Sequence, residues 1–314
     1  MNPITRRTPL ALLGLGPMGT PMAKNLLASW GPITVWNRTA ARAEELRAWY
    51  ANIATSPRAA AREITLTVLP DLWQVQSLLP GPEGLLAGWA EQGIESPVLV
   101  IHGTVSPVAI ADFAGDMLER HGVTVIDAPL SGGVVGAAHA QLSIMVGGDE
   151  ATARALEPVF AHLGRTVRYL GPSGAGSLAK ACNQIVVAGT IAALSESFLL
   201  ARAGGLDVGV LQELFQGGLA RTELVAQKGA NWVTADFSSG GSATNQLKDL
   251  HFIAESAANR AVTLPTTALV TELFERMVAE GEGELDHTGL YSTLERASSA
   301  AARRGTLSEA AADA

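Results

Sequence analysis

One cysteine, Cys182, stands in 314 residues, which excludes an intrachain disulfide framework and fits a reducing compartment. As a lone thiol it reads as a small packing hydrophobe. Charge is sparse as well: 17% of residues are charged, the formal net charge is −8, and no basic cluster interrupts that balance. A polyanion finds nothing to follow on such a chain, so nucleic acid and anionic membrane are not expected partners, and any anionic ligand must be held by local groups. No secretory leader is expected either. Arg6 and Arg7 precede an apolar run that meets Gly14 too soon to form a signal peptide's core. No window is expected to reach the length of a membrane span. The chain is expected to be cytoplasmic, and no metal is expected in its chemistry.

What is abundant is apolar residues, at 47%, and glycine, at 33 residues, the composition of a compact α/β chain. At roughly 150 residues per domain the length suggests two domains. The first pattern is an apolar strand, Leu10 to Leu13, running through Gly14-Leu15-Gly16-Pro17-Met18-Gly19 into a helix. In that setting Gly-x-Gly-x-x-Gly predicts a dinucleotide-binding turn. Gly14 permits the tight turn, Gly16 admits a pyrophosphate, and Gly19 lets helix and strand pack closely, while the helix N-terminus offers N–H groups.

A carboxylate is absent where one is informative. The second strand, Ile33 to Trp36, ends about twenty residues after the glycines, where NAD-binding units present an acidic residue to the ribose 2′-hydroxyl. Here the chain reads Asn37-Arg38-Thr39, with no carboxylate before Glu44. Arg38 is placed to bond a 2′-phosphate, with Asn37 and Thr39 adding hydrogen bonds, so NADP(H) is the expected cofactor. A solvated loop arginine is the plainer alternative.

The α/β alternation continues through a helix over about 40–50, the strand Ile64 to Leu69 with its Pro70-Asp71 turn, and the strand Val98 to Ile101. Loops at the C-terminal edge of a parallel sheet bind ligands, which places Leu69, Pro70 and Thr104 along the cofactor. His102 is expected to be structural rather than a proton carrier. Another strand, Val123 to Asp127, delivers Ser131-Gly132-Gly133, whose consecutive N–H groups and hydroxyl can form an anion site for a carboxylate or simply a flexible turn. A strand from Leu142, a helix over about 150–163 and a short strand over 166–170 follow. Gly171-Pro172-Ser173-Gly174 then breaks the pattern, and helices take over. The expected organisation is a Rossmann-type α/β domain over 8–171, an all-α domain over 172–295 joined by a long interdomain helix, and a frayed, Ala-rich end over 296–314.

The helix opening at Gly174 carries Lys180, with Gly176, Asn183 and Gln184 on the same face by helical spacing. A lysine on an otherwise apolar helix is costly to bury without a partner or ligand; snorkelling to water is the alternative.

Together, the Gly14–Gly19 turn, Asn37-Arg38-Thr39, the segment Asp127 to Gly133, Gly174-x-Gly176-x-x-x-Lys180-x-x-Asn183 and Lys248-Asp249-Leu250 resemble the β-hydroxyacid dehydrogenase family over about 9–295. Within it, Asn183-Gln184, the segment Gln216 to Ala220, and Asp286-His287 are most similar to the branch that reduces tartronate semialdehyde (2-hydroxy-3-oxopropionate). The resemblance implies an NADP-dependent oxidoreductase acting on a small carboxylate-bearing carbonyl or hydroxy acid. It implies Lys180 as catalytic acid, Asn183 beside it, Ser131, Gly132 and Gly133 on the substrate carboxylate, and Lys248 closing over both substrate and nicotinamide. It also implies a homodimer or homotetramer built through the helical domain. Lys248 is otherwise half of a surface ion pair. The chain departs from the family pattern at Gly103, where serine is common, at Ala140-Gln141, and at Arg221-Thr222; Arg221 is a candidate second carboxylate ligand. Those departures bear on which acid is used: a 3-hydroxyisobutyrate dehydrogenase, or a reductase of glyoxylate or succinic semialdehyde, would also keep Lys180. Related imine reductases generally lack that lysine, and a non-catalytic NADP-binding protein would not need it.

Overall fold

A computed structural model describes residues 4–238 and 240–300. Two compact units emerge, Met1–Cys182 and Asn183–Ala314, and the 29-residue helix Ala175–Ala203 begins in the first and continues into the second.

The first unit is a nine-stranded sheet. Its strands are β1 (Leu10–Leu13), β2 (Thr34–Trp36), β3 (Asn52–Ile53), β4 (Ile64–Thr67), β5 (Val98–Ile101), β6 (Thr124–Asp127), β7 (Leu130–Ser131), β8 (Leu142–Gly147) and β9 (Gly164–Gly171). The order is β3-β2-β1-β4-β5-β6-β8-β7, with β9 on β8. Strands β1 to β6 pair in parallel, whereas β8 runs antiparallel to β6 and β7 and parallel to β9. Strands β1, β4 and β5 are buried at every position, as expected where helices cover both faces of a sheet. Alternation then divides them between two cores. Leu10, Leu12, Val98 and Val100 pack on one face with Met22, Leu26 and Trp30; Ala11, Leu13, Leu99 and Ile101 pack on the other with Leu85, Trp89 and Ile110. Strand order reverses between β1 and β4, so the loops after them diverge into the crevice where open α/β sheets bind ligands.

Several local expectations are refined. The helix over 40–50 is α only at Ala40–Glu44 and tightens to 3₁₀ over Glu45–Trp49, ending at Tyr50 in the left-handed region, φ 61°. The helix over 150–163 is two pieces, Glu150–Ala155 and Glu157–Phe160, because Pro158 has no N–H to continue a helical ladder. The two-residue strands β3 and β7 are too short for a periodic signal.

The second unit is helical: Val208–Gly217, Glu223–Thr234, Ala243–Ala258 and Pro265–Met277 follow the long helix. Asp207, Thr222 and Ser242 each cap the N-terminus of their helix with a side-chain oxygen. Trp232 anchors the core, stacked on Phe198 with centroids 5.7 Å apart and donating its indole N–H to Ser195 Oγ at 3.0 Å. Two corrections follow. Ala175–Ala203 is long and apolar enough to cross a membrane by length and composition, contrary to the expectation that no window is; its Ala188, Ile191, Phe198 and Ala201 are buried within the protein. Residues 290–300 are helical, and Arg296 bonds Glu280 and Glu282, so the expected frayed end does not begin at Arg296. Residues 301–314 lie outside the described residues.

Candidate active site

The glycine turn after β1 has the geometry a dinucleotide needs. Gly14 sits at φ +99°, and a Cβ there would lie 2.5 Å from the Val68 carbonyl oxygen. At Gly19 a Cβ would collide with the Gly14 carbonyl oxygen, so the helix Gly19–Ser29 can start there only without a side chain. Around Gly16 nothing lies within 4 Å of the Cβ position, which leaves room for a pyrophosphate. Asn37, at the end of β2, organises this turn: its Oδ1 accepts from Leu15 N–H at 2.8 Å and its Nδ2 donates to the Thr39 carbonyl at 3.0 Å. Leu15 is buried, Pro17 is exposed and Met18 is half-buried on the approach. Arg38 and Thr39 are exposed beyond β2. The residues present therefore fit a nicotinamide dinucleotide: glycine N–H groups at a helix N-terminus for the phosphates, and a cation with no competing carboxylate at the ribose end.

Leu69, Pro70 and Thr104 lie on the same sheet edge, after β4 and β5. Gly103 has no room for a side chain, because its Cβ would strike the Leu69 carbonyl oxygen. His102 is buried, with Nδ1–H donating to the Ala128 carbonyl at 2.7 Å and its ring edge-on to Phe160. Burial lowers its pKa to about 4, so the ring is neutral near pH 7 and pins the β6 end rather than carrying charge. Ser131 closes β7 and leads into Gly132 and Gly133, at φ +130° and +64°, backbone conformations that glycine adopts without strain. These turn the chain into the short helix Gly133–Ala138.

Lys180 is 8% exposed. The start of its helix is held by a carboxylate distant in sequence: Asp127, the last residue of β6, accepts from Gly174 N–H at 3.0 Å and Ser177 N–H at 2.7 Å. Burial pushes the Asp127 carboxyl above its ordinary range, and these two N–H groups pull against that shift. In the sequence Asp127 is a strand end and the first residue of the Asp127 to Gly133 segment, with no sign of the helix it holds. The available signal was an acidic residue closing an apolar strand, a position that demands buried donors.

In the second unit, Asn183 lies three residues beyond Lys180 on the continuous helix, which gives the two residues a common helical face. Asn183 Nδ2 donates to Gln184 Oε1 at 3.0 Å, and Gln184 Nε2 to Asp249 Oδ2 at 2.7 Å. Asp249 also pairs with Lys248, whose Nζ is 3.3 Å from its Oδ1 and 5.1 Å from the Phe252 ring centre. Asn183, Gln184, Asp249 and Lys248 thus form one polar chain across two helices, a link the spacing could not reveal. Arg221 is exposed in the turn before Glu223–Thr234 and is not drawn into that chain. Asp286 is a buried clamp, bonded to Lys228 at 2.6 Å and to Thr288 at 2.6 Å. Burial opposes its ionisation, but His287, Lys228 and Thr288 outweigh that and hold the carboxyl below its usual range.

Comparison with known proteins bears on the family and the fold. Residues 9–171 match the family model for the NAD-binding domain of 6-phosphogluconate dehydrogenase, and 174–294 match that of NADP-dependent 3-hydroxyisobutyrate dehydrogenase. The 2-hydroxy-3-oxopropionate reductase of Escherichia coli is 34% identical over 91% of this chain and 97% of its own. The NAD-dependent L-serine dehydrogenase of Pseudomonas aeruginosa is 31% identical over 88% and 94%. The solved Mycobacterium tuberculosis 3-hydroxyisobutyrate dehydrogenase with L-serine superposes with a TM-score of 0.76 at 29% identity, covering 91% of this chain and 99% of that one. With the glycine turn, the Ser131 loop and the Lys180 helix in place, the chain belongs to the β-hydroxyacid dehydrogenase family and is an NAD(P)-dependent oxidoreductase acting on the CH–OH group of hydroxy acids.

Proposed function

We propose that the protein uses NADPH to reduce a small aldehyde or keto acid, of the 2-hydroxy-3-oxopropionate type, to the hydroxy acid, with Lys180 as the general acid. The observation that carries this reading is a buried lysine on an apolar helix, one turn beyond a clamped N-terminus. When bound, the nicotinamide supplies the hydride, adding two electrons at the carbonyl carbon. Negative charge then develops on the carbonyl oxygen, and the Lys180 ammonium stabilises it and delivers the proton that completes the hydroxyl. In the oxidative direction the neutral amine takes that proton back. Asn183, three residues on, orients substrate or lysine, and its amide is itself oriented by Gln184. Ser131, Gly132 and Gly133 hold the substrate carboxylate through N–H groups and a hydroxyl, with Lys248 and Arg221 as further cationic contacts.

The preference for NADPH rests on Arg38 at the end of β2 and on the absence of a carboxylate before Glu44. Assembly as a homodimer or homotetramer is supported by Val186, Leu200, Val210 and Leu214, large apolar residues exposed on the helical unit. 3-Hydroxyisobutyrate, glyoxylate and succinic semialdehyde enzymes share the lysine and differ in pocket lining, so a substrate panel separates them. NADPH oxidation is followed with tartronate semialdehyde, methylmalonate semialdehyde, succinic semialdehyde, glyoxylate and one cyclic imine, each repeated with Lys180→Ala. Turnover of one aldehyde acid that collapses in the variant is expected. Near-normal turnover by Lys180→Ala, or turnover of the imine alone, would overturn the reading.

A further inference from the structure

The helix that bears Lys180 begins at a residue unable to cap it. Gly174 occupies the N-cap position, where a serine, threonine, aspartate or asparagine side chain usually accepts from the N–H two or three residues on. No such side chain fits: Gly174 is at φ +90°, and a Cβ would lie 2.5 Å from the Pro107 carbonyl oxygen. The acceptor comes instead from the sheet. We propose that Asp127 is a positioning residue for the reaction: by capping this helix from β6, it fixes where Lys180 stands relative to the cofactor edge of the sheet.

Each oxygen of Asp127 serves one orphan donor, Oδ1 taking Gly174 N–H and Oδ2 taking Ser177 N–H, while Ala175 N–H turns back to the Pro172 carbonyl at 2.9 Å. Ser177 is one turn before Lys180, so a single hydrogen bond and three residues of helix connect the lysine to β6. The surroundings are cut to this carboxylate. At Gly147, on the neighbouring strand, a Cβ would lie 2.6 Å from both Asp127 Oδ1 and Gly176 N. At Gly176 a Cβ would strike the Met145 carbonyl oxygen and lie 2.7 Å from that of Asp127. Two glycines therefore bring helix and strands close enough for an aspartate to reach. Asp127 is in turn fixed by ladder pairing to Ile101 and Gly147, and the next carbonyl, that of Ala128, is tied to His102. A local serine cap would stabilise the helix equally well while leaving it free to shift against the sheet. A cap rooted in β6 removes that freedom.

This inference rests on the proposed role of Lys180, and the test separates the two. Asp127→Asn keeps the shape and one acceptor oxygen but presents an amide to the other donor. In carbonyl reduction at saturating NADPH, kcat per NADPH-binding site should fall about 10- to 100-fold, as sub-ångström displacement of a reacting group produces. Substrate KM and NADPH Kd should change less than about threefold. A purely structural cap would lower melting temperature and yield but leave kcat per binding site intact; kcat within about twofold of wild type would overturn the proposal. If Lys180→Ala abolishes turnover while Asp127→Asn retains it, positioning fails and the acid role stands; if Lys180→Ala turns over normally, the acid role fails and positioning with it. Amide exchange in the wild-type protein decides independently of how the variant folds. Gly174 and Ser177 amides should rank with the slowest of the β5 and β6 ladder, and exchange at the rate of an exposed turn would overturn the proposal.

Discussion

His102 makes stability of the first unit depend on pH in a calculable way. Its imidazole is buried and held neutral, with a folded pKa of about 4 against about 6.5 in an unfolded chain. A depressed histidine pKa means the unfolded state binds the proton first, so its contribution is fully present above about pH 6.5 and is lost as pH falls towards 4. The whole shift, 2.5 units at 1.36 kcal/mol each, is worth roughly 3 kcal/mol, of which about 2 kcal/mol has gone by pH 5. His102→Asn is the informative variant, because the asparagine Nδ2 can occupy the place of the imidazole Nδ1 and keep the bond to the Ala128 carbonyl, now without a titratable ring. Urea unfolding at pH 7.5 and pH 5.0 gives a pH-dependent loss for each protein. Other titrating groups cancel in the difference, so wild type should lose about 2 kcal/mol more than the variant. Equal losses would refute the reasoning, as would an NMR titration in which the His102 ring protonates near pH 6.5 in the folded protein.

Arg38→Ala should raise the KM for NADPH by roughly 10- to 100-fold, the worth of one or two charge-assisted contacts, and change the KM for NADH little; initial rates with each cofactor check this. Gly19→Ala forces a methyl group into the Gly14 carbonyl and should abolish cofactor binding, read by quenching of protein fluorescence on NADPH addition. Lys228→Met leaves Asp286 with Asn231 and Thr288 but without its cation. A loss of roughly 1–3 kcal/mol is expected when a buried carboxylate loses one of its hydrogen-bond partners, measured by denaturant melting, with NADPH affinity of the first unit unchanged.

Much of the first unit is legible because its signals are local. Leu10 to Leu13 is apolar throughout and stops at a glycine, so strand, turn and helix are written in adjacent residues. Gly14 and Gly19 have the steric roles their spacing implies, and Gly16 has open space at its Cβ position. Short strands and the tightened end of a helix are not legible. β3 and β7 have two residues each, below any periodicity, and the 3₁₀ end of the helix at Ala40 depends on how Leu46 packs into the sheet core. In the second unit, Lys248-Asp249 was readable as a motif, but the path from Asp249 through Gln184 to Asn183 joins residues 65 positions apart. Arg221 stood out by type alone, and its exposed turn lies apart from that path.

By itself the sequence determined the class of fold, the dinucleotide turn, the missing carboxylate after β2 and the lysine on an apolar helix, because each depends on side-chain size, charge or spacing within about one turn or strand. Only the tertiary structure decided what holds that helix in place. A buried carboxylate needs donors, a glycine N-cap needs an acceptor, and nothing in the local sequence says that Asp127 and Gly174, 47 positions apart, answer each other. That match exists only once β6 is laid beside β8 and the helix is packed across the bare backbone of Gly147.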